Sequence, residues 1–303
     1  MMTAENTLLL GFPECSKLAR DIAEKANLTY AEVKIHTFPD GESKLTLPTP
    51  LPAHIVICRS LDNPNEKLVE LLLTAEGCRN IGAKTLTLVV PYLSYMRQDI
   101  AFHPGEVVSQ KVIGKLLADT FDGVLTVDSH LHRISHLSQA IPTDTAINLT
   151  ATEPMSQFIQ ERFEKPFLLG PDAESLQWVE AISQYHQMDF AVATKERKGD
   201  LDVTINLPEA DFSGRNVVIV DDVASSGQTL IKAAKQMNQL DEGARPASVS
   251  VLVTHALFMQ GSIQQLYDVG VSNIWSSNSI NHSTNAVSLA TLLAKSLVKL
   301  RAV

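Results

Sequence analysis

The feature that most constrains the fold is an alternation along the whole chain. Short runs of β-branched and aliphatic residues alternate with helix-length amphipathic segments. This pattern predicts an α/β fold in which a mainly parallel sheet is flanked by helices. We expect strands over residues 8–12, 32–38, 54–59, 86–92, 123–128, 166–170, 189–194, 216–222, 248–255 and 271–276. Helices are expected over residues 14–26, 65–81, 106–119, 151–162, 173–185, 228–240, 259–268 and 285–300.

The length of 303 residues predicts two domains, at roughly 100–200 residues per domain. The best point of division is the proline-containing polar stretch SQAIPTDT at residues 138–145, which separates two series of strands and helices. We therefore expect an N-terminal domain over residues 1–143 and a C-terminal domain over residues 144–303.

Composition excludes several functional classes. The chain has 25 Lys and Arg against 34 Asp and Glu, so its formal charge of −9 predicts no general attraction to nucleic acid or to an anionic membrane. Three cysteines without a CxxC spacing indicate neither a disulfide framework nor a thiolate zinc site. The N-terminus lacks a basic signal-peptide region, and no apolar run approaches the roughly 18 residues of a membrane span. A cytoplasmic protein is expected, and the cations that hold any anionic ligand must be local.

The stretch NVVIVDDVASSGQT, residues 216–229, is the strongest local signal. A buried strand ends in Asp221 and Asp222, and a loop of small residues then leads into a helix, where converging backbone amides can hold a phosphate. The two carboxylates can accept hydrogen bonds from sugar hydroxyls or carry hydrated Mg²⁺. An acidic turn with a serine helix cap is the simpler alternative. DDVASSGQT resembles the ribose-5-phosphate loop of phosphoribosyltransferase-type folds, which predicts contacts from Asp221, Asp222, Ser225, Ser226, Gly227, Gln228 and Thr229.

Five further blocks accompany this loop in a fixed order. They are HTFPDGESKL (36–45), VVPYLSYMRQD (89–99), VDSHLH (127–132), GPDAES (170–175) and TKERKGD (194–200). Together the six blocks resemble the ribose-phosphate pyrophosphokinase family over nearly the whole chain. The resemblance implies two phosphoribosyltransferase-like domains. It also implies an enzyme that transfers the diphosphoryl group of ATP to the 1-hydroxyl of ribose 5-phosphate, giving 5-phosphoribosyl 1-diphosphate and AMP.

The resemblance also implies where ATP binds. In FPDGE an aromatic ring stacks on adenine and a carboxylate accepts from its amino group, and in the family this loop reaches the active site of a neighbouring subunit. A homo-oligomer is therefore expected. Taken alone, FPDGES is typical of a turn between two strands. The implied ATP contacts are Phe38, Asp40, Glu42, Arg97, Gln98 and Asp99.

Metal and catalytic residues follow from the same resemblance. His130 and Asp172 match magnesium-associated positions, and we discount zinc at His130, His132 and His136 because no cysteine or third-ligand spacing supports it. Lys195 and Arg197 match a mobile catalytic loop that closes over the transferring phosphoryl group, where cations stabilise developing charge. By themselves they would be read as a basic turn.

Several positions depart from the family pattern. Ser225 replaces a common acidic residue, Glu174 and Ser175 occupy glycine positions, and Ile100 stands where a basic residue is common. Regulation by phosphate or ADP is therefore not assumed. Two alternatives stay open: a non-catalytic regulatory homologue that binds the family's ligands or subunits, and a true phosphoribosyltransferase acting on a nucleobase. The retained set of charged residues argues against the regulator, and the chain is about one domain longer than a simple transferase requires.

Overall fold

The computed structural model describes residues 6–131, 133–197 and 203–301. The chain forms two compact units, one made of the residues up to Thr150 together with the segment from Leu289 onward, the other of Ala151–Ser288. Each unit has its own six-stranded parallel sheet and its own hydrophobic core. The predicted α/β class, with two mainly parallel sheets flanked by helices, is confirmed.

In the described residues before 150, the first unit contains eight strands and three α-helices. Six strands form its sheet in the order β2-β1-β5-β6-β7-β8, and the other two form an antiparallel hairpin, β3–β4. In chain order the elements are β1 (Thr7–Gly11), α1 (Ser16–Lys25), β2 (Thr29–Glu32), β3 (Lys34–Thr37), β4 (Ser43–Thr46), β5 (His54–Cys58), α2 (Pro64–Ile81), β6 (Thr85–Val90), α3 (Ser109–Thr120), β7 (Gly123–Val127) and β8 (Thr145–Leu149).

The second unit has the sheet order β10-β9-β13-β14-β15-β16 and an antiparallel hairpin, β11–β12. Its elements are α4 (Thr152–Gln160), β9 (Phe167–Gly170), α5 (Leu176–His186), β10 (Asp189–Val192), β11 (Thr194–Arg197), β12 (Val203–Asn206), β13 (Asn216–Ala224), α6 (Gln228–Asn238), β14 (Ser248–Ala256), α7 (Ser262–Asp268), β15 (Asn273–Ser277) and β16 (Asn285–Val287). The last helix, α8 (Ala290–Arg301), belongs to the first unit.

The division differs from the predicted boundary between residues 143 and 144. Residues 145–149 form β8, which pairs in parallel with β7 and completes the first sheet. The C-terminal segment returns to the first unit because α8 packs against α1. The expected helix over 285–300 is also divided, since its first residues form the short edge strand β16.

The two units share one topology, because the second strand order is the first with every number raised by eight. In each sheet the chain first adds a strand on one side and then crosses to the other, so the topological switch point lies between β1 and β5 and between β9 and β13. Ligands of open α/β sheets bind outside the carboxyl ends of the strands at this point.

Local sequence explains the elements around that point in the second unit. Val217–Val220 are fully buried, as expected for the central strand of a parallel sheet. The buried residues of α6 recur at helical spacing, namely Leu230, Ile231, Ala233, Ala234 and Met237, and they pack against the sheet. Within the described ranges, no helix combines the length and apolarity needed to cross a bilayer.

Candidate active site

Two adjacent carboxylates mark the carboxyl end of β13. Asp222 is buried, Asp221 is partly buried, and the Asp222 amide donates to Asp221 Oδ1 at 3.0 Å. Burial raises the pKa of Asp221 well above its usual value, and the neighbouring carboxylates of Asp222 and Asp172 raise it further. This edge of the sheet therefore concentrates negative charge that hydroxyl donors or a bound cation would relieve.

A loop of small residues follows β13 and leads directly into α6. Gly227 is the N-cap residue with a φ of 69°, a left-handed conformation that glycine adopts without strain. Because it has no side chain, Gly227 cannot cap the amides of the first turn. The loop is fixed to the chain after β14 by two backbone bonds, from Leu257 N to Ala224 O (2.9 Å) and from Met259 N to Ser225 O (3.0 Å).

The other predicted residues of this loop line the start of the helix. Ser225 and Thr229 are partly buried, whereas Ser226 and Gln228 are exposed. Gln228 Nε2 donates to Gln265 Oε1 at 3.3 Å. An uncapped helix N-terminus beside hydroxyl side chains is suited to bind a phosphate group, since the helix dipole and the amide donors both favour an anion.

Asp172 and Lys195 meet beside these carboxylates. Asp172 follows β9, and its Oδ1 accepts from the Glu174 amide at 3.1 Å at the start of a 3₁₀ turn, Ala173–Ser175. Lys195 lies on β11, with its Nζ 3.5 Å from Asp172 Oδ2. Ser175, at a position where the family pattern has glycine, donates its hydroxyl to Asp172 O at 2.6 Å.

Part of the predicted catalytic loop lies outside the residues that the structure describes. The backbone of Arg197 lies on β11 opposite Val203. Residues 198–200 and His132 lie outside the described residues. In the second unit the structure thus brings together Asp172, Lys195 and Asp221, with Asp222 next to Asp221.

The FPDGE segment forms the tip of the β3–β4 hairpin in the first unit. Phe38 N donates to Glu42 O at 2.8 Å, and Asp40 Oδ1 accepts from the Glu42 amide at 3.2 Å. Phe38 is 40% exposed and contacts the ring of His36 edge-on. All three predicted adenine contacts are exposed on this unit, so the tip presents an aromatic ring and two carboxylates at the surface of the unit.

The RQD segment follows β6. Arg97 is exposed, whereas Gln98 Nε2 donates to Ile100 O at 2.9 Å within the same loop. Asp99 is buried, and its Oδ1 accepts from Arg133 Nη1 at 2.6 Å. The side chains of Gln98 and Asp99 therefore contact their own unit, and Arg97 projects toward solvent.

The two predicted metal positions lie on different units. His130 follows β7 in the first unit and is partly buried, whereas Asp172 belongs to the second. Across residues 6–131, 133–197 and 203–301, no group of three or more His, Cys, Asp or Glu side chains has a metal-binding arrangement.

Sequence reasoning missed two residues that support the RQD segment. Arg133 contacts Asp99 from 34 positions away. Gln110, buried at the start of α3, donates its Nε2 to Met96 O (3.3 Å) and its backbone N–H to Gln98 O (3.2 Å). An arginine in a polar loop and a glutamine on a helix carry no local signal of these contacts, because only the folded sheet brings the segments together.

Comparison with known proteins agrees with this architecture. The family model described as the N-terminal domain of ribose phosphate pyrophosphokinase matches residues 7–120, and the model of the phosphoribosyl transferase domain matches residues 143–256. The crystal structure of phosphoribosylpyrophosphate synthetase from Mycobacterium smegmatis has a TM-score of 0.82, covers 97% of this chain and 98% of that chain, and is 19% identical, a likeness of fold.

The fold and the β13 loop define a protein with two phosphoribosyltransferase-like domains. Curated relatives identify the family within this class. The chain is 30% identical to a ribose-phosphate pyrophosphokinase of Methanopyrus kandleri over 97% of this chain and 99% of the relative. It is 31% identical to that of Saccharolobus solfataricus, over 90% and 93%. The chain belongs to the ribose-phosphate pyrophosphokinase family.

Proposed function

We propose that this protein is a ribose-phosphate diphosphokinase, an enzyme that transfers the diphosphoryl group of ATP to the 1-hydroxyl of ribose 5-phosphate. The products are 5-phosphoribosyl 1-diphosphate and AMP. Family membership over nearly the full length supports the reaction. The single observation that carries the proposal is the site at the β9–β13 switch point, where paired carboxylates, an anion-binding helix N-terminus and Lys195 come together.

Ribose 5-phosphate is assigned to the second unit. Its phosphate would accept hydrogen bonds from the amides of the Ser225–Thr229 loop, where α6 begins. Asp221 and Asp222 would accept hydrogen bonds from the 2- and 3-hydroxyls of the sugar. Such bonds relieve the carboxylate repulsion that raises the pKa of Asp221. They also fix the direction of the 1-hydroxyl.

ATP is assigned to the N-terminal motifs. Arg97 is an exposed cation suited to phosphate, and Gln98 and Asp99 organise the segment that carries it. The exposed hairpin tip with Phe38, Asp40 and Glu42 supports adenine recognition in a neighbouring subunit, and therefore a homo-oligomer. Nucleic acid and membranes are not proposed as partners, given the charge of −9 and the absence of a spanning helix in the described ranges.

Lys195 is the first candidate for stabilising charge on the transferring group. Its ammonium is held by Asp172 at 3.5 Å, on a hairpin strand rather than in the sheet. Phosphoryl transfer asks mainly for alignment and for cations near the phosphate oxygens. Lys195 and Arg197 would supply these cations, and Asp172 would hold Lys195 in position before substrate binds.

The carboxylates Asp172, Asp221 and Asp222 fit Mg²⁺, since they are oxygen donors that lie close together at the carboxyl ends of β9 and β13. Magnesium keeps several waters and substrate oxygens rather than a dedicated protein cage. The ion, when bound, would neutralise charge on the phosphates. His130 is proposed to hold a second ion or its water on the nucleotide side.

A cytoplasmic location is proposed with this function. The three cysteines, Cys15, Cys58 and Cys78, are free thiols, as expected in a reducing compartment.

A coupled assay that detects AMP in the presence of ATP, ribose 5-phosphate and Mg²⁺ tests the proposal. The wild type should form AMP only when both substrates are present. Lys195→Ala should lower kcat by about 10²–10³-fold, the usual loss for one charge-stabilising group. Lys115→Ala is the matched control, because Lys115 forms an exposed ion pair with Asp119 on α3 and should leave kcat unchanged.

The assay also separates the alternatives. A phosphoribosyltransferase would release no AMP from these two substrates, and a regulatory homologue would form no product at all. Full activity of a folded Lys195→Ala variant would overturn the assignment of Lys195.

A further inference from the structure

An ion pair in the first unit links two segments that the proposed mechanism treats separately. Arg133 lies in the segment after β7, and its Nη1 donates to Asp99 Oδ1 at 2.6 Å. The carboxylate is 3% exposed and the guanidinium 48% exposed. The guanidinium carbon also lies 5.7 Å from the centre of the Phe102 ring, within the range of a cation–π contact.

Arg133 supplies a positive charge next to Asp99 that the residues after Arg97 in this loop lack. No Lys or Arg occurs in residues 98–108, where Ile100 directly follows Asp99. A buried carboxylate without a cation or donor is strongly disfavoured. The counter-charge therefore comes from a segment 34 positions further along the chain.

The second oxygen of the same carboxylate has no donor. Asp99 Oδ2 is buried and has no hydrogen-bond partner within the described ranges. An ionised carboxylate can only accept hydrogen bonds, and buried polar atoms in folded proteins are almost always paired. Asp99 lies two residues after Arg97, the proposed phosphate contact, so a nucleotide bound there can supply the missing donor.

Helix α3 anchors the loop on the N-terminal side of Asp99. Gln110 holds the backbone at Met96 and Gln98 through two hydrogen bonds from α3. Asp99 is the next residue, and its anchor is Arg133. Loss of Arg133 would thus remove the anchor of the Asp99 side chain and leave the hydrogen bonds from Gln110 in place.

We propose that Arg133 is a positioning residue of the nucleotide site: it holds Asp99 through Oδ1 so that Oδ2 accepts a hydrogen bond from an amino or hydroxyl group of the adenine nucleotide. This inference rests on the proposed function, because it takes the RQD segment as part of an ATP site. Arg133 acts through Asp99 and is not itself assigned a contact with substrate.

Calorimetric titration with α,β-methylene-ATP, which cannot donate its diphosphoryl group, measures the site without turnover. Arg133→Gln should weaken binding of this analogue by about tenfold, the usual cost of one charge-assisted hydrogen bond. Asp99→Asn should weaken it similarly, and Arg133→Lys, which keeps the charge, should restore part of the loss. Arg79→Gln, which breaks the Arg79–Asp122 pair of the same unit, should leave binding unchanged.

The double variant Asp99→Asn, Arg133→Gln distinguishes positioning from direct contact. If Arg133 acts through Asp99, the double variant binds the analogue no more weakly than Asp99→Asn alone. In the steady state, the KM for ATP should rise in Arg133→Gln while the KM for ribose 5-phosphate stays unchanged. Thermal melting establishes that each variant is folded.

Two results would overturn the inference. One is a folded Arg133→Gln variant that binds the analogue like the wild type, and the other is a double variant whose loss equals the sum of the two single losses. Failure of the proposed function gives a different result, since the wild type would then form no AMP from ATP and ribose 5-phosphate, whatever its affinity for the analogue.

Discussion

Arg59→Met should destabilise the first unit severely, and the shared topology explains why Arg59 matters. Arg59 directly follows Cys58, the β5 residue opposite Gly11 of β1. In the second unit Ile219 lies opposite Leu169. Continued by one residue, this register places Val220 of β13 opposite Gly170 of β9, and Asp221 directly follows Val220. Where the second unit has a carboxylate at its switch point, the first therefore has a buried guanidinium.

At the switch point of the first unit, Arg59 contacts residues of the same unit. Its Nε donates to Glu14 Oε1 at 2.7 Å, its Nη2 to Glu70 Oε2 at 2.6 Å, and its Nη1 to Lys67 O at 3.2 Å. The guanidinium also stacks 3.9 Å from the centre of the Phe12 ring. The side chains of Arg59 and Glu70 are 3% and 10% exposed, so solvent cannot replace these bonds.

The size of the effect follows from this burial. Arg59→Met leaves Glu70 buried with one remaining donor among the described residues, Ser43 Oγ at 2.6 Å. Removing one member of a buried ion pair costs about 3–5 kcal/mol. For a unit of about 165 residues this corresponds to a fall in melting temperature of roughly 6–20 °C. Ser43 lies on β4, so the β3–β4 hairpin should also lose an anchor.

Differential scanning calorimetry measures this fall, with two further variants as controls. Arg79→Met removes a pair whose members are 33% and 44% exposed, and it should cost about 0–1 kcal/mol. Arg59→Met with Glu70→Leu removes both charges and should recover much of the loss, because the orphaned carboxylate is the main cost. If Arg59→Met melts like Arg79→Met, burial does not make the Arg59–Glu70 pair more costly to break than an exposed pair.

Three further outcomes are expected. Gly114→Ala should destabilise the protein by more than about 2 kcal/mol in chemical unfolding, because its Cβ would lie 1.9 Å from Ala140 O, whereas Gly243→Ala meets open space and should be neutral. Asp221→Asn should raise the melting temperature of the substrate-free protein at about pH 8, because burial and the neighbouring carboxylates disfavour the ionised Asp221 in the folded state and so raise its pKa. This gain in melting temperature should shrink as the pH falls toward the usual pKa of aspartate. A gain that grows as the pH falls would contradict this prediction. Phe38→Ala should raise the KM for ATP without changing thermal melting, because the ring is exposed; a lowered melting temperature would indicate a packing role instead.

The sequence predicts the central strands well because they are buried on both faces and read as continuous apolar runs. The strands β1, β5, β6, β7, β9, β13, β14 and β15 all overlap predicted runs. The expected strand over 32–38 covers β3 and only the last residue of β2, and these two strands belong to different sheets on either side of Val33. Edge and hairpin strands such as β8 are only partly buried, so their hydrophobic pattern is weak.

The site residues also fall into two groups, those that the sequence predicts and those that it does not. Asp221, Asp222 and the loop to Thr229 are contiguous in the chain, and strand, turn and helix chemistry together identify them. The Asp99–Arg133 pair joins residues 34 positions apart, and no spacing rule predicts it, because the contact depends on how β6 and β7 pair. The roles assigned to individual site residues stay predictions until variants are measured.

The most direct test of the proposed reaction follows the β-phosphorus of ATP. With [β-³²P]ATP, ribose 5-phosphate and Mg²⁺, we expect the label to appear in 5-phosphoribosyl 1-diphosphate and the AMP formed to be unlabelled. With [α-³²P]ATP the label should appear only in AMP. Label recovered in ADP would show transfer of a single phosphoryl group, and ATP left intact would exclude ATP-dependent chemistry, so either result would contradict diphosphoryl transfer.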